Sequence, residues 1–507
     1  MEMESQFYQR VAHFFGHSFT ENQHDAVYAL ENFMRSKHPH PTFVLKGYAG
    51  TGKTSLLAAF IGALDSYGLS SVLMAPTGKA AKILSQKSKM TAFTIHKSIY
   101  RRKSKTDETS SLSITPNLHK NTLFIVDEAS MIGDYTMMND GNVNNRNLLD
   151  DLLEYVFSGQ NCKLIFLGDS GQLPPIGTTF SPALSTEYLE NNYPRLEIHE
   201  HTLNQIVRQR LDSGIVYNAT LVRKTKNDFP LLELDPTNFS DIVSINGLEL
   251  QDALESSFGN LGPEGSILIT RSNKRANEYN RQIRNRIFWY EEEINQHDHL
   301  MVVKNNYFWL KDQKNIGFLA NGETMVVKRV MKEVELYGFR FYHVMVTLPD
   351  YEEIDAQEII IHAESLMCEG ANLPRTRLRE LFFEVEKDYM FEKNKAKRYE
   401  RILANPYFNA VQVKFSYAVT CHKSQGGQWE NVFIDTGYLP EDLDLEEYNR
   451  WLYTALTRAS EKVYLVNFPE DQMEIVNLKE LEEEDEEEDF WFDEEEEDED
   501  DDWFNED

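Results

Sequence analysis

Short apolar runs and helical segments alternate along most of this chain. From residue 42, apolar runs at 42–45, 71–75, 123–126 and 163–167 are separated mostly by helical stretches. Strands buried on both faces read as continuous apolar runs, so this alternation predicts a mostly parallel sheet covered by helices on both sides. Residues 1–40 read as helical, with His17-Ser18-Phe19-Thr20 leading into a capped helix from Glu21. The polar stretch 101–120 interrupts the alternation and reads as an exposed loop or hairpin. A second alternating region opens at 266–270 and resumes at 411–420, 431–435 and 462–468. Between its halves, 299–303, 323–330 and 339–347 read as short strands with turn signals, which predicts a small β-barrel inserted in a second domain. Residues 376–401 read as charged and helical, with Lys395, Lys397, Arg398 and Arg401 clustered.

Composition changes this picture only in places. The length of 507 residues suggests three or four domains, and 41% apolar with 12% aromatic residues is ample for real cores. Cys162, Cys368 and Cys421 are widely spaced, without metal or disulfide pattern, which favours a reducing, intracellular setting and a cytoplasmic protein. No apolar run approaches the length of a membrane span. The N-terminal residues 1–9 are acidic and polar, unlike a secretory signal. The net charge of −32 is concentrated at one end: residues 480–507 hold 21 acidic residues and no basic one. The rest carries 62 acidic against 51 basic residues, a mild excess that leaves room for a locally basic channel. The acidic tail reads as disordered through self-repulsion and lack of aliphatic residues. Phe490, Trp491, Phe492, Trp503 and Phe504 interrupt it. It reads as a solvating appendage, as a segment that docks on a basic protein partner, or as a nucleic-acid mimic that folds back on the body.

The chemistry is carried first by Gly47-Tyr48-Ala49-Gly50-Thr51-Gly52-Lys53-Thr54, which satisfies a phosphate-binding loop at every position. An apolar run leads in and a helix-forming run over 55–64 leads out. The glycines let backbone N–H groups wrap an anion, and the helix N-terminus adds a favourable dipole. Lys53 is expected to reach the β- and γ-phosphates of ATP, and the Thr54 hydroxyl to hold Mg²⁺. The apolar run 123–126 ends in Asp127-Glu128, and a buried parallel strand delivers its C-terminal end to the ligand crevice. Asp127 is placed to hold Mg²⁺, and Glu128 to deprotonate the attacking water. At a third strand end, Gly168-Asp169-Ser170-Gly171-Gln172-Leu173-Pro174-Pro175, Gln172 can sense a γ-phosphate.

With these motifs in order, the chain resembles the superfamily 1B DNA helicases of the RecD/Dda type over about residues 15–470. Phe19-Thr20-Glu21-Asn22-Gln23 resembles the adenine-recognising Q motif, with Gln23 the amide. Ala75-Pro76-Thr77-Gly78-Lys79-Ala80-Ala81 resembles motif Ia, and Thr94-Ile95-His96-Lys97 the single-strand contact that follows it. Val207-Arg208-Gln209 resembles motif IV, whose arginine touches the γ-phosphate. The run 417–426, through Thr420, Cys421 and His422, resembles motif V. Tyr453-Thr454-Ala455-Leu456-Thr457-Arg458-Ala459 resembles motif VI, with Arg458 the arginine finger. Asn321-Gly322-Glu323 resembles the turn of the inserted barrel. The resemblance implies nucleotide contacts from Gln23, Gly47, Gly50, Thr51, Gly52, Lys53, Thr54 and Gln428. Single-stranded DNA contacts are implied for Pro76, Thr77, Thr94, His96, Thr420 and His422. Arg is suited to developing phosphoryl charge because it is always ionised and forked. Hydroxyls and amides along phosphates, with stacking side chains, are what a single strand requires.

Three departures stand out: Gln428 replaces an expected acid beside the motif V glycines, residues 351–410 are longer and more helical than the family leads one to expect, and the insert at the pin position has no aromatic wedge apart from Tyr100. The resemblance implies two RecA-like α/β domains with parallel sheets and ATP at their interface. The first spans 1–195 with a pin-like insert at about 98–121. The second spans 196–298 and 405–475. A small β-barrel over 299–350, a helical insert over 351–404 and an acidic tail over 476–507 complete the division. It further implies a monomeric, non-membrane, ATP-dependent motor that moves 5′→3′ on single-stranded DNA and acts at duplex–single-strand junctions in repair, recombination or replication. Two alternatives are a DNA-stimulated translocase that does not unwind, and a non-motor ATP-switch subunit of a larger DNA-processing complex.

Overall fold

The computed structural model describes residues 5–64, 68–102, 112–134, 147–207, 212–234, 239–310, 318–351 and 353–473. The first sheet is built from β1 (Pro41–Gly47), β2 (Ser70–Ala75) and β3 (Ala92–Thr94), then, beyond a small antiparallel hairpin of β4 (Tyr100–Arg102) and β5 (Leu112–Ile114), from β6 (Lys120–Val126), β7 (Gln160–Gly168) and β8 (Glu197–Leu203). Its order is β3-β2-β6-β7-β1-β8 and every pairing is parallel. The central strands are apolar because both faces are covered. One face packs Phe43, Leu45, Leu73 and Ile125 under helices that include Glu21–Arg35 and Lys53–Ala63, and the other packs Val44, Phe124 and Phe166 under Leu148–Phe157.

The second sheet contains β9 (Ile242–Ile245) and β10 (Ser266–Thr270), and the chain then leaves it for an antiparallel unit of β11 (His299–Val302), β12 (Thr324–Leu336), β13 (Phe339–Thr347), β14 (Gln357–His362) and β15 (Val413–Phe415). It returns through β16 (Ala418–Thr420), β17 (Trp429–Asp435) and β18 (Ala459–Val466), giving the parallel order β16-β10-β17-β18-β9. The antiparallel unit runs β14-β13-β12-β11-β15, and a bridge between Ile361 and Val411 joins its two ends. Its core is continuous with that of the second sheet: Leu268 and Phe433 share one apolar cluster with Val344, Ile361 and Val413.

Three expected boundaries shift. Strand β8 belongs to the first sheet, paired with β1 along its whole length, so the first domain runs past residue 195. Its sequence, EIHEHTL, is polar because it is an edge strand and mostly half-buried, which hides it from an apolar-run reading. The antiparallel unit extends past 350 to include β14 and β15. Residues 351–404 are consequently not one helical insert. They supply β14 and then the helices Arg375–Asp388 and Lys395–Leu403, which bury Leu381, Val385 and Ile402 against Phe339, Phe341 and Ile360. The expected acidic tail over 476–507 and the middle of the pin-like insert lie outside the described residues.

Candidate nucleotide and strand sites at the domain interface

The phosphate loop follows β1 and opens into the helix Lys53–Ala63. Gly50 and Gly52 both have φ of +79°, a left-handed conformation that L side chains rarely adopt. A Cβ on Gly52 would lie 2.6 Å from Gln23 Nε2, so that glycine is also required by packing. Lys53 Nζ donates to the Gly47 carbonyl and, at 3.0 Å, to the Tyr48 carbonyl, and lies 3.5 Å from the buried Asp169 carboxylate. The lysine thus satisfies itself on its own loop, in a place from which phosphate oxygens can draw it. Thr51 is buried and gives its hydroxyl proton to the Tyr48 carbonyl at 2.8 Å, while Thr54 is half-buried in the first turn of the helix.

Gln23 is buried against the loop. Its Oε1 accepts the Thr20 N–H at 3.1 Å in a capping box, and its Nε2 donates to the Thr51 carbonyl at 2.9 Å. Here the amide braces the phosphate loop, and both of its polar ends are engaged.

Asp127 and Glu128 stand at the C-terminal end of β6. Asp127 Oδ1 accepts the Glu128 N–H at 2.8 Å. Burial first, and the neighbouring Glu128 carboxylate second, push the Asp127 carboxyl up to about 7. Asp127 is half-buried at the strand end, and its carboxylate, with the Thr54 hydroxyl in the first turn of the helix after the loop, is a donor set of the kind that suits Mg²⁺. Glu128 adopts φ +52°, ψ +37°, which turns the chain sharply off the strand. Gln172 is buried, and its Oε1 has no hydrogen-bond partner among the described residues. An orphaned amide oxygen in this crevice suits a water or hydroxyl of a bound ligand.

The second domain closes over this site. The helix Leu445–Leu456 brings Tyr453 to the loop: its hydroxyl accepts the Ala49 N–H at 2.8 Å and donates to Asp169 Oδ2 at 2.7 Å. Thr454 Oγ1 accepts the Leu173 N–H at 2.8 Å, and Gln425 Nε2 donates to the Leu173 carbonyl at 2.6 Å. Arg223, on the helix Gly214–Lys224, lies 3.9 Å over the Tyr48 ring. Arg458 is buried and directed into its own domain, donating to the carbonyls of Thr454 at 3.1 Å and Gly427 at 3.2 Å and to Thr457 Oγ1 at 3.2 Å. Arg208 lies outside the described residues. Gln428 is exposed beside Gly427.

The residues expected on the strand path divide into two sets. Thr77 and Thr94 are N-caps, each Oγ1 accepting an N–H at 3.2 Å, from Ala80 and Lys97 respectively, which leaves each O–H able to donate. Pro76 is half-buried at the end of β2. His96 is half-buried between Tyr100, at 5.5 Å, and Phe318 of the antiparallel unit, at 6.4 Å, and burial lowers its imidazole to about 4, so it is neutral. On the second domain, Thr420 caps a short helix without using its side chain, and burial lowers the neighbouring His422. Gly426, in the turn that follows Thr420 and His422, comes close to the first set: a Cβ there would lie 3.0 Å from Ala80 Cβ and 3.1 Å from Thr77 Oγ1.

Sequence reasoning missed Tyr453, Asp169, Arg223 and the pair Lys79–Trp429, in which Lys79 Nζ sits 3.3 Å from the indole centroid across the domain boundary. Burial lowers Lys79 to about 7, against the raising influence of Asp350 and Glu264. Lys79, Asp169 and Tyr453 were in view within the quoted motifs, and Trp429 directly follows Gln428. Their partners come from the other domain, so no local spacing could identify them.

Residues 19–233 match the AAA domain family, and residues 415–466 match the UvrD-like helicase C-terminal domain. The chain is 26% identical over 474 residues to the ATP-dependent DNA helicase dda of Enterobacteria phage T4, covering 88% of this chain and 99% of that protein. It is 34% identical over 188 residues to the ATP-dependent RecD2 DNA helicase of Deinococcus radiodurans, covering 36% of this chain and 21% of that protein. A crystal structure of Pif1 helicase from Bacteroides in complex with ADP-AlF3 and ssDNA aligns over 93% of this chain and 98% of that chain, with 15% identity and a TM-score of 0.45.

Proposed function

We propose that the chain is a superfamily 1B helicase, an ATP-dependent DNA helicase that moves 5′→3′ along single-stranded DNA and separates duplex at junctions. The observation that carries the reading is the contact of the second domain with the phosphate loop through Tyr453 and Ala49, since it makes nucleotide occupancy and domain position interdependent.

In this reading Lys53 exchanges the Gly47 and Tyr48 carbonyls for β- and γ-phosphate oxygens, while Gly47, Gly50, Thr51 and Gly52 shape the loop that presents N–H donors. Gln23 holds that loop in form and, through rearrangement, meets the adenine. Thr54 and Asp127 would hold Mg²⁺, which would supply positive charge against the phosphates. Glu128 takes the proton of the attacking water, and Gln172 offers its orphaned oxygen to that water. Arg208 takes the γ-phosphate contact that its motif implies, and Arg458 brings positive charge from the second domain, for which it must leave its carbonyl partners. Gln428 is exposed where a ribose hydroxyl can meet it. Pro76, Thr77, Thr94 and His96 on one side, and Thr420 and His422 on the other, line the strand path. Their relative displacement on opening and closing is the step along DNA.

Action as a monomer in the cytoplasm on repair, recombination or replication intermediates fits this activity. Turnover by the intact chain, with and without a saturating oligonucleotide, tests the motor. We expect stimulation of at least about tenfold, because strand binding across both domains favours the closed cleft. An unchanged rate would leave only a nucleotide-binding switch.

A further inference from the structure

We propose that Tyr453 is a positioning residue that transmits the occupancy of the phosphate loop to the second domain. The inference deepens the motor reading and rests on it. Tyr453 is only 2% exposed, and its hydroxyl has two partners from the first domain. It accepts the Ala49 N–H, one of the loop's backbone donors. It gives its own proton to Asp169 Oδ2 at 2.7 Å, a hydrogen bond strengthened by the carboxylate charge. Asp169 is itself 1% exposed and has three partners: Gly171 N–H on Oδ1 at 2.9 Å, the Tyr453 hydroxyl, and Lys53 Nζ at 3.5 Å.

The ion pair and the hydrogen bond therefore meet on one carboxylate. When phosphates draw Lys53 away, Asp169 loses its counter-charge and depends more on the Tyr453 proton. The contact between the domains tightens as the loop fills. When the phosphates leave, Lys53 returns to Asp169 and the demand on Tyr453 relaxes. Nothing covalent changes, and the proton stays on the phenol, since burial and the Asp169 charge hold that hydroxyl well above its ordinary value. The neighbouring contacts, Thr454 with Leu173 and Gln425 with Leu173, make this edge of the second domain move as one piece.

The ring also packs closely. A Cβ on Gly171 would lie 3.0 Å from Tyr453 Cε1, so Tyr453→Phe, which keeps the ring, is the variant to use. The full-length protein is assayed as wild type, Tyr453→Phe, Asp169→Asn and the double variant. Steady-state ATP turnover is measured with and without saturating oligo-dT. We expect Tyr453→Phe to lower the ratio of strand-stimulated to basal turnover about tenfold, with the KM for ATP changing less than about threefold. The double variant should be no worse than the more impaired single variant, because both substitutions cut one link. A ratio equal to wild type in Tyr453→Phe overturns the proposal. So do multiplicative losses in the double variant, which would mean two independent structural roles. If wild type itself shows no strand stimulation, the motor reading fails, and the two failures are thereby told apart.

Discussion

Lys53 and Glu128 are proposed to serve one nucleotide site in different roles, so their removal should fail in different ways. Lys53→Ala deletes the charge proposed to meet the β- and γ-phosphates, and turnover should fall by at least about 100-fold while the far-ultraviolet spectrum is kept. Glu128→Gln keeps the shape and removes the proposed base. It should bind a fluorescent ATP analogue within about threefold of wild type and lose about 100-fold or more in turnover. Equal loss of nucleotide affinity in both variants contradicts this division of roles. Glu323 gives a residue-scale test of stability. It is 3% exposed, accepts the Ala320 N–H and the Tyr351 hydroxyl proton, each at 2.8 Å, and burial raises its carboxyl to about 7. A carboxyl raised in the folded state is penalised wherever the unfolded chain is ionised. Stability therefore falls as pH rises from about 4.5 to about 7, and levels off above. Glu323→Gln keeps the Ala320 N–H on its single acceptor oxygen and turns the Tyr351 hydroxyl from donor to acceptor of its amide N–H, without the charge. It should be the more stable protein at pH 7.5, by on the order of 2 kcal/mol, with the gap closing toward pH 4.5. Urea midpoints across that range check it, and a pH-independent difference would show that the carboxyl is not the cause.

Single elements carry the contact between the domains. Gly426, with φ +71° and Ala80 Cβ 3.0 Å from where its own Cβ would stand, lets the turn after β16 meet the helix Gly78–Ser88. Gly426→Ala adds backbone strain of about 1–2 kcal/mol and a wedge between the domains. Strand affinity should weaken by about tenfold or more in fluorescence anisotropy. Unchanged affinity would mean that the two sides of the strand path do not meet there. The elements legible in the sequence were those fixed by local chemistry. The strands β1, β2, β6 and β7 are apolar because they are buried on both faces, and the phosphate loop is set by Gly50, Gly52, Lys53 and Thr54 in a row. Strand β8 was hidden because an edge strand tolerates Glu197, His199, Glu200 and His201. Strand β14 was hidden because its apolar centre, Ile359 to Ile361, sits in a region dominated by charged helices. The cross-domain pairs, Tyr453 with Asp169 and Lys79 with Trp429, were not legible at all. Such a pair is fixed only when both domains are folded and docked.

For the whole molecule, charge is the first consideration. The 21 acidic residues of 480–507 have no basic partner within that segment, and Phe490, Trp491, Phe492, Trp503 and Phe504 can imitate stacked bases. Deleting 480–507 should tighten single-strand binding several-fold at low salt. The gain should shrink toward physiological ionic strength, where screening acts over about 8 Å. Equal affinities at low salt would assign the segment to solvation or to a partner instead. The proposed motor rests on two parallel sheets in contact, with the phosphate loop on one and Tyr453, Thr454 and Arg458 on the other. A filled cleft and an empty one must hold the strand differently, and the difference must have a direction. The most direct measurement is unwinding, under ATP and Mg²⁺, of two duplexes that differ only in carrying a 5′ or a 3′ single-stranded tail, with Lys53→Ala as control. The account predicts strand separation of the 5′-tailed substrate alone, lost in the variant. Separation of neither duplex by an enzyme that hydrolyses ATP, or of the 3′-tailed one alone, would contradict it.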